Sequence, residues 1–378
     1  MNCSWNSPLE SSWDSLHIAM LAPPWYPVPP AGYGGIEWMM AWLADGLVDR
    51  GHEVTIIGVG APGTRASFIP TFEEAQFPRL GECLPESLHV ATAARILDDL
   101  AVDVVHDHTC AGPLGATRRH APTVLTAHGP ATGELGSYYE LLADETSVVA
   151  ISQAQRAEAP HLPWAGMVHN AIPVDDYPFQ AEKEDFCLFL GRISPEKAPD
   201  LAIKAARAAG RPIVVAAKCN ERAEQSYFEE RVRPLLGRDA VWFGEANQEQ
   251  KKDLLARARC LIFPIQWNEP FGIVMVEAMA CGTPVVALRD GSVPEIIDDG
   301  VTGYVCDSVM ELPRAIARTD DLEPKLCRQH VANYFDVPTM AAAYETIYQD
   351  VIAPVAPLAA SRPQRPSRLD RGRCGRSG

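Results

Sequence analysis

Short apolar runs alternate along this chain with stretches whose apolar residues recur at helical spacing. In the first half, runs at 16–21, 53–59, 102–106, 123–127, 148–151 and 166–169 predict strands. Amphipathic stretches such as 36–50 and 88–100 predict the helices between them. In the second half the scheme repeats, with predicted strands at 186–190, 213–217, 241–243, 260–263, 284–288 and 303–306. Strands that are apolar throughout and separated by helices imply parallel sheets covered on both faces. The fold class is therefore α/β, with two doubly wound parallel-sheet domains at 16–175 and 184–336. A polar, turn-rich link containing Pro173, Asp175, Asp176 and Pro178 joins them. A last helix at 338–352, clearest over 340–352, follows a second series that is already complete. Ligands of such sheets sit at the carboxyl ends of the strands. The site is thus expected in the cleft where the two domains face each other.

Composition narrows the choice of partner. The 378 residues carry a formal charge of −16, with 47% hydrophobic and 22% charged residues. An acidic chain repels polyphosphate, so nucleic acid is not an expected partner. A phosphate ligand would need a few local cations and backbone N–H groups. The ten cysteines form no metal-type pairs, and Cys187, Cys260, Cys281 and Cys306 sit in apolar runs as small hydrophobes. No metal site is expected. Residues 1–15 lack a basic start and an apolar core, so they read as a flexible N-terminus and not a signal peptide. No run of about 18 apolar residues is present, and the default compartment is the cytoplasm. Residues 354–378 are rich in Arg, Pro, Ser and Gly and read as a disordered tail. That tail suits either peripheral contact with acidic lipid headgroups or no role at all.

Candidate chemistry clusters at strand ends. Gly32-Tyr33-Gly34-Gly35 follows the first strand and opens a helix, where backbone N–H groups attract anions. The spacing is not that of a dinucleotide fingerprint, and an ordinary loop is the competing reading. Arg192 and Lys197 follow the first strand of the second domain; Arg offers a planar fork for phosphate and Lys a point charge. The strand at 260–263 runs into Glu269-Pro-Phe-Gly272, with a helix expected from about Gly272 to Ala280 and Glu277 more than one turn inside it. Such a helix start can hold a diphosphate. An inward Glu277 suits sugar hydroxyls, and an outward one would be an ordinary surface residue. His128 ends the strand at 123–127 and is expected in the cleft, with His106 and His108 lining it nearby. The i, i+2 pair of histidines lacks a third metal ligand.

Together these segments resemble the retaining glycosyltransferases of family 4 (group 1, bacterial type), whose architecture is GT-B: two Rossmann-like domains facing across a cleft. The pieces fall in the family's order: the glycine loop at 32–35, Leu-Thr-Ala-His128-Gly, Val-His169-Asn170-Ala-Ile-Pro, Gly191-Arg192 with Lys197, Glu269-Pro-Phe-Gly with Glu277, and Cys281-Gly-Thr-Pro-Val-Val. The resemblance implies a hexosyl-type transferase moving sugar from a nucleoside-diphosphate sugar to an acceptor hydroxyl with retention and without a required metal. It implies that Gly34 and Gly35 approach the donor diphosphate, that Arg192 and Lys197 neutralise it, and that Glu277 binds the ribose hydroxyls. Glu269 would contact the transferred sugar, together with backbone N–H groups of Phe271, Gly272 and Ile273, and His128 would sit beside it. The base would rest near 243–246, and the last helix would cross back to the first domain.

Three departures stand out: Ala198 for a usual glycine, expected to matter little; Lys218-Cys-Asn for a glycine pair, with Lys218 as a further phosphate contact or a plug; and Asp290-Gly291-Ser292 before Glu295. Acceptors in this architecture bind first-domain loops, here 61–85, 106–113 and 129–139, and a sugar, a natural product or a lipid-linked molecule would all be compatible. Trp25, Tyr26, Tyr138 and Tyr139 offer stacking faces. A monomer or homodimer is expected. The rival readings are a nucleotide-sugar epimerase or phosphorylase on the same fold, or a non-catalytic subunit; the last should have lost Arg192, Lys197, Glu269 or Glu277, and all are present.

Overall fold

The computed structural model describes residues 15–32 and 34–353. Tyr33 and the expectations for 1–14 and 354–378 lie outside the described residues. Strands β1 (His17–Leu21), β2 (Glu53–Val59), β3 (Ser67–Phe72), β4 (Val104–Asp107), β5 (Thr123–Thr126), β6 (Ser147–Ala150) and β7 (Gly166–Met167) form a seven-stranded sheet in the order β3-β2-β1-β4-β5-β6-β7. Strands β8 (Cys187–Arg192), β9 (Ile213–Lys218), β10 (Ala240–Gly244), β11 (Cys260–Phe263), β12 (Val285–Leu288) and β13 (Gly303–Cys306) form a six-stranded sheet ordered β10-β9-β8-β11-β12-β13. Every strand pairing is parallel. The strand order reverses at β1 in one sheet and at β8 in the other. A crevice opens at such a reversal because successive connections leave toward opposite faces.

Strand β3 lies inside the segment expected to be an acceptor loop. It hides from a search for apolar runs because it is a half-exposed edge strand carrying Pro70. Proline is tolerated there, where one side of the strand has no ladder to complete. The helix expected at 88–100 starts earlier and spans Cys83–Asp99. Pro85 lies in its first turn, where a missing N–H leaves no helical bond unmade.

The helix Val337–Ile352 packs its Met340, Ala341, Tyr344, Ile347 and Tyr348 into the first-domain core beside Met39, Met40 and Leu43. The Asp336 side chain caps it by accepting from Val337 N at 2.9 Å. Close approach needs Gly46, since a Cβ there would meet Val337 Cγ1 at 2.6 Å. Glu345 of this helix is bonded by Arg50 and lies 3.2 Å from His52 Nε2. A second tie between the domains runs through Glu295, which accepts from Gln153 N at 2.8 Å and Ala154 N at 2.6 Å and faces His169 Nε2 at 3.0 Å. That carboxylate sits at the start of the first-domain helix Gln153–Glu158, where its charge is favoured. These ties set how the two sheets face each other.

Candidate active site

A cleft of about 650 Å³ opens between the carboxyl ends of the two sheets. The loops after β1, β4 and β5 supply one wall, and those after β8, β9 and β11 supply most of the other. Gly34, Gly35, His128, Arg192, Lys197, Lys218, Glu269, Phe271, Gly272, Ile273 and Glu277 all line it, so the sequence-predicted set converges on one place.

On the first wall, Gly34 has φ 147° and a Cβ there would lie 2.7 Å from Pro30 Cγ, so only glycine fits. A Cβ on Gly35 would meet nothing within 4 Å, which leaves its backbone open to the cleft. Glu37 follows in the first turn of the helix Gly35–Asp49. It is buried in the cleft wall, and burial pushes its carboxyl up to about 7. Sequence reading missed it; its only signal was an acid in a first helical turn.

His128 Nε2 and His108 Nδ1 lie 2.9 Å apart. Burial lowers His128 to about 4, so the ring is neutral near pH 7. His106 was expected in the cleft, but it is fully buried beneath it. Its ring nitrogens face Thr126 Oγ1 and Tyr348 OH, each at 2.7 Å. The returning helix covers that face of β4, which no local pattern could announce. His108 packs on it with ring centroids 4.0 Å apart and planes tilted by 42°. Of the expected acceptor loops, 106–113 and 129–139 contribute lining residues, whereas no described residue of 61–85 does.

On the second wall, Arg192 ends β8 and its Nε is buried with no hydrogen-bond partner. Buried polar groups are rarely left so, which marks this donor as aimed at something the chain itself does not supply. Lys197 Nζ bonds Glu269 Oε2, and Trp267 Nε1 donates to the same oxygen at 2.9 Å. The Glu269 loop rests on Gly291, where a Cβ would lie 2.3 Å from both Glu269 N and Glu269 O. Ser292 N donates to Glu269 O at 3.0 Å and Ser292 Oγ to Phe271 O at 2.7 Å. The departure at 290–292 is therefore the buttress of the central motif.

Gly272 takes φ 77° as the cap of the helix Ile273–Ala280, a conformation in which a side chain would be strained. The first N–H groups of that helix have no carbonyl one turn earlier and face outward as donors. Glu277 is buried and not a surface residue. Tyr177 OH donates to its Oε1 at 2.8 Å and Lys251 Nζ at 2.5 Å. Trp267, Tyr177 and Lys251 were all missed: Tyr177 and Lys251 lie on elements whose sequence carries no motif, and Trp267, two residues before Glu269, shows its direction only once the loop is folded.

Lys218 also lines the cleft, yet its ammonium lies between Glu221 Oε1 at 2.7 Å and Glu224 Oε1 at 3.1 Å. Its charge is answered within its own loop, which favours the plug over the phosphate contact. Ala198 takes φ 50°, left-handed backbone that strains any residue with a Cβ, so its replacement of glycine is not neutral. Among the described residues no cluster of three or more His, Cys, Asp or Glu is placed to hold a metal, and no helix is long and apolar enough to cross a membrane.

Residues 33–175 match the family described as Glycosyltransferase Family 4, and residues 176–330 the one described as Glycosyl transferases group 1. The N-acetyl-alpha-D-glucosaminyl L-malate synthase of Bacillus anthracis is 33% identical over 129 residues. That match spans only 32% of this chain and 33% of that protein. The glycogen synthase of Mycobacterium tuberculosis is 25% identical over 385 residues, covering 85% of this chain and 92% of that one. The crystal structure of AviGT4, a glycosyltransferase involved in avilamycin A biosynthesis, superposes with a TM-score of 0.72 at 28% identity, covering 90% of this chain and 99% of that one.

Proposed function

We propose, from the premise that this chain belongs to the group 1, family 4 glycosyltransferases and has their GT-B fold, that it moves a sugar from a nucleoside-diphosphate sugar to an acceptor hydroxyl with retention of anomeric configuration. The observation that carries the donor half is the unpartnered, buried Arg192 Nε in a cleft whose opposite wall offers the open backbone of Gly35. A diphosphate placed between them gains the guanidinium, Lys197 and the N–H groups at the start of the helix Ile273–Ala280. Those donors strengthen as negative charge builds on the departing diphosphate, which is how a fixed polar site lowers a barrier.

Glu277 is steadied through Oε1 by Tyr177 and Lys251, and in this reading it turns its other oxygen to the ribose hydroxyls. Glu269 and the N–H groups of Phe271, Gly272 and Ile273 hold the transferred sugar, with neutral His128 beside it. Bond making and breaking occur on one face of the sugar: the acceptor oxygen bonds to the anomeric carbon as the carbon–phosphate oxygen bond breaks. The leaving phosphate oxygen takes the acceptor's proton. This route asks for no resident metal. No observation favours an epimerase, a phosphorylase or a non-catalytic subunit.

The test uses the purified full chain with UDP-, GDP- and ADP-glucose. At least one donor should be cleaved to its nucleoside diphosphate, and proton NMR should show an α-linked product from an α-linked donor. Cleavage of none, or a β-linked product, would overturn the donor or the retention half respectively.

A further inference from the structure

The four cations lining the cleft, Arg192, Lys197, Lys218 and Lys251, all come from the second domain. Among the described residues, the first-domain lining contains no Lys or Arg. His108 and His128 lie on that wall, and burial holds both below the ordinary histidine range, so neither supplies charge near neutral pH. The wall does carry the carboxyls of Glu37 and Glu86. Glu86 Oε1 accepts from Cys110 N at 2.8 Å and Ala111 N at 2.9 Å, so its carboxyl is fixed on this wall. The electrostatic sign of the wall is therefore neutral to negative.

Its surface is aromatic. Trp25 and Tyr26 follow β1, and Tyr138 projects from the helix Gly133–Leu142; all are half-buried in the lining. Tyr26 stacks on Phe77 at 5.0 Å, and Tyr138 OH donates to Cys110 O, so both rings are held in place. Trp38 adds a buried Nε1–H with no partner, an uncharged donor suited to a hydroxyl or ring oxygen. The second-domain lysines are already committed, Lys197 to Glu269, Lys251 to Glu277, and Lys218 to Glu221 and Glu224, and the transferase reading assigns Arg192 to the donor diphosphate.

We propose that the acceptor is an uncharged molecule with a flat apolar face, a sugar ring or an aromatic aglycone, and that the first-domain wall disfavours acceptors bearing phosphate or carboxylate. This rests on the transferase reading above. Aromatic faces bind the apolar side of a ring, while an anion there meets like charge with no cation to offset it.

The experiment measures transfer by mass spectrometry with the full chain, the three glucose donors named above and four acceptors. Maltose and p-nitrophenyl β-glucoside are the neutral arms, separating glycan from aglycone; glucose 1-phosphate and L-malate are the anionic arms. Calorimetric binding of each acceptor runs in parallel, so that an inactive donor does not leave the acceptor question unread. Binding or transfer with either neutral acceptor, well above both anionic ones, is the expected result. Trp25→Ala should then raise KM for the preferred neutral acceptor about tenfold. Tyr138→Arg, which plants a cation on the wall, should shift the preference toward glucose 1-phosphate. Anionic acceptors that bind or react as well as the neutral ones overturn the inference, as does failure of both neutral acceptors to bind at millimolar concentration. Donor cleavage without acceptor reports the transferase reading separately, so the two failures are distinguishable.

Discussion

The two walls of the cleft solve opposite problems. The second-domain wall gathers charge and pairs most of it in advance: Lys197 with Glu269, Lys251 with Glu277, Lys218 with Glu221 and Glu224. The first-domain wall holds its histidines back from solvent, His108 buried and His128 partly buried above a fully buried His106, and sets aromatic rings around them. Paired charges are held in place beforehand and need little reorganisation when a polyanion arrives, which suits a ligand whose charge is always the same. A wall of rings and neutral imidazoles has no such commitment and can be rebuilt for a different acceptor without disturbing the donor side.

The sharpest way to break this contrast is Arg192→Ala. It removes a buried side-chain donor that has no partner, and kcat/KM for the donor should fall by about 100-fold or more, the cost of a lost transition-state donor of ~3 kcal/mol. Steady-state donor cleavage measures it, and a change below threefold would place the diphosphate elsewhere. Arg192→Lys should recover only part of the loss, since a point charge lacks the planar fork.

Pre-pairing itself is tested by Lys197 and Glu269. Lys197→Ala leaves a carboxylate whose side chain is only 11% exposed without its counter-ion, and should destabilise the fold by about 3 kcal/mol. The double variant with Glu269→Ala should be more stable than the sum of the single losses implies. Urea unfolding of the four proteins decides it; additivity within about 0.5 kcal/mol would mean the pair is not coupled.

The neutral wall predicts a two-sided pH profile. His128 is depressed to about 4 from an ordinary 6.5, so the unfolded chain binds its proton first as pH falls. Stability should therefore drop between about pH 6.5 and 4, by up to roughly 3 kcal/mol from this ring alone. Glu37 acts in the other direction. Raised from 4.5 to about 7, its carboxyl favours the fold when protonated, and that contribution is lost as pH rises from 4.5 through 7. Melting curves should show Glu37→Gln gaining on the parent at pH 8 and matching it at pH 4. An equal gain at both values would detach the effect from ionisation.

The smallest effect lies just behind the charged wall. Ala198→Gly relieves a left-handed alanine worth 1–2 kcal/mol of strain but loosens the unfolded chain, for a net gain of about 0.5–1 kcal/mol. A lower melting temperature in this variant would show that residue 198 is not held in that conformation.

The contrast also explains what could be read beforehand. Donor-side residues sit in contiguous motifs at strand ends, where a few neighbours set their direction. Arg192 and Lys197 flank one turn after β8, and Glu269 and Glu277 flank one helix start, so spacing alone brought them to the cleft. The partners that orient them come from separate elements: Tyr177 from the link, Lys251 from another helix, Gly291 from the loop after β12. Nothing local marks those residues. His106 shows the reverse error: its strand-end position reads as exposed, but Tyr348 of a helix more than 200 residues away covers it.

By itself the sequence determined the two sheets, the ends of the strands where chemistry gathers, and the identity of the charged residues that line the second-domain wall of the cleft. Those follow from hydrophobic period and from glycines and cations at fixed offsets, which are local properties. Only the tertiary structure decided which charges are already paired, which histidines are buried neutral, and which wall lacks cations altogether. Those depend on desolvation and on partners distant in the chain, and both exist only once the two domains have packed around the cleft.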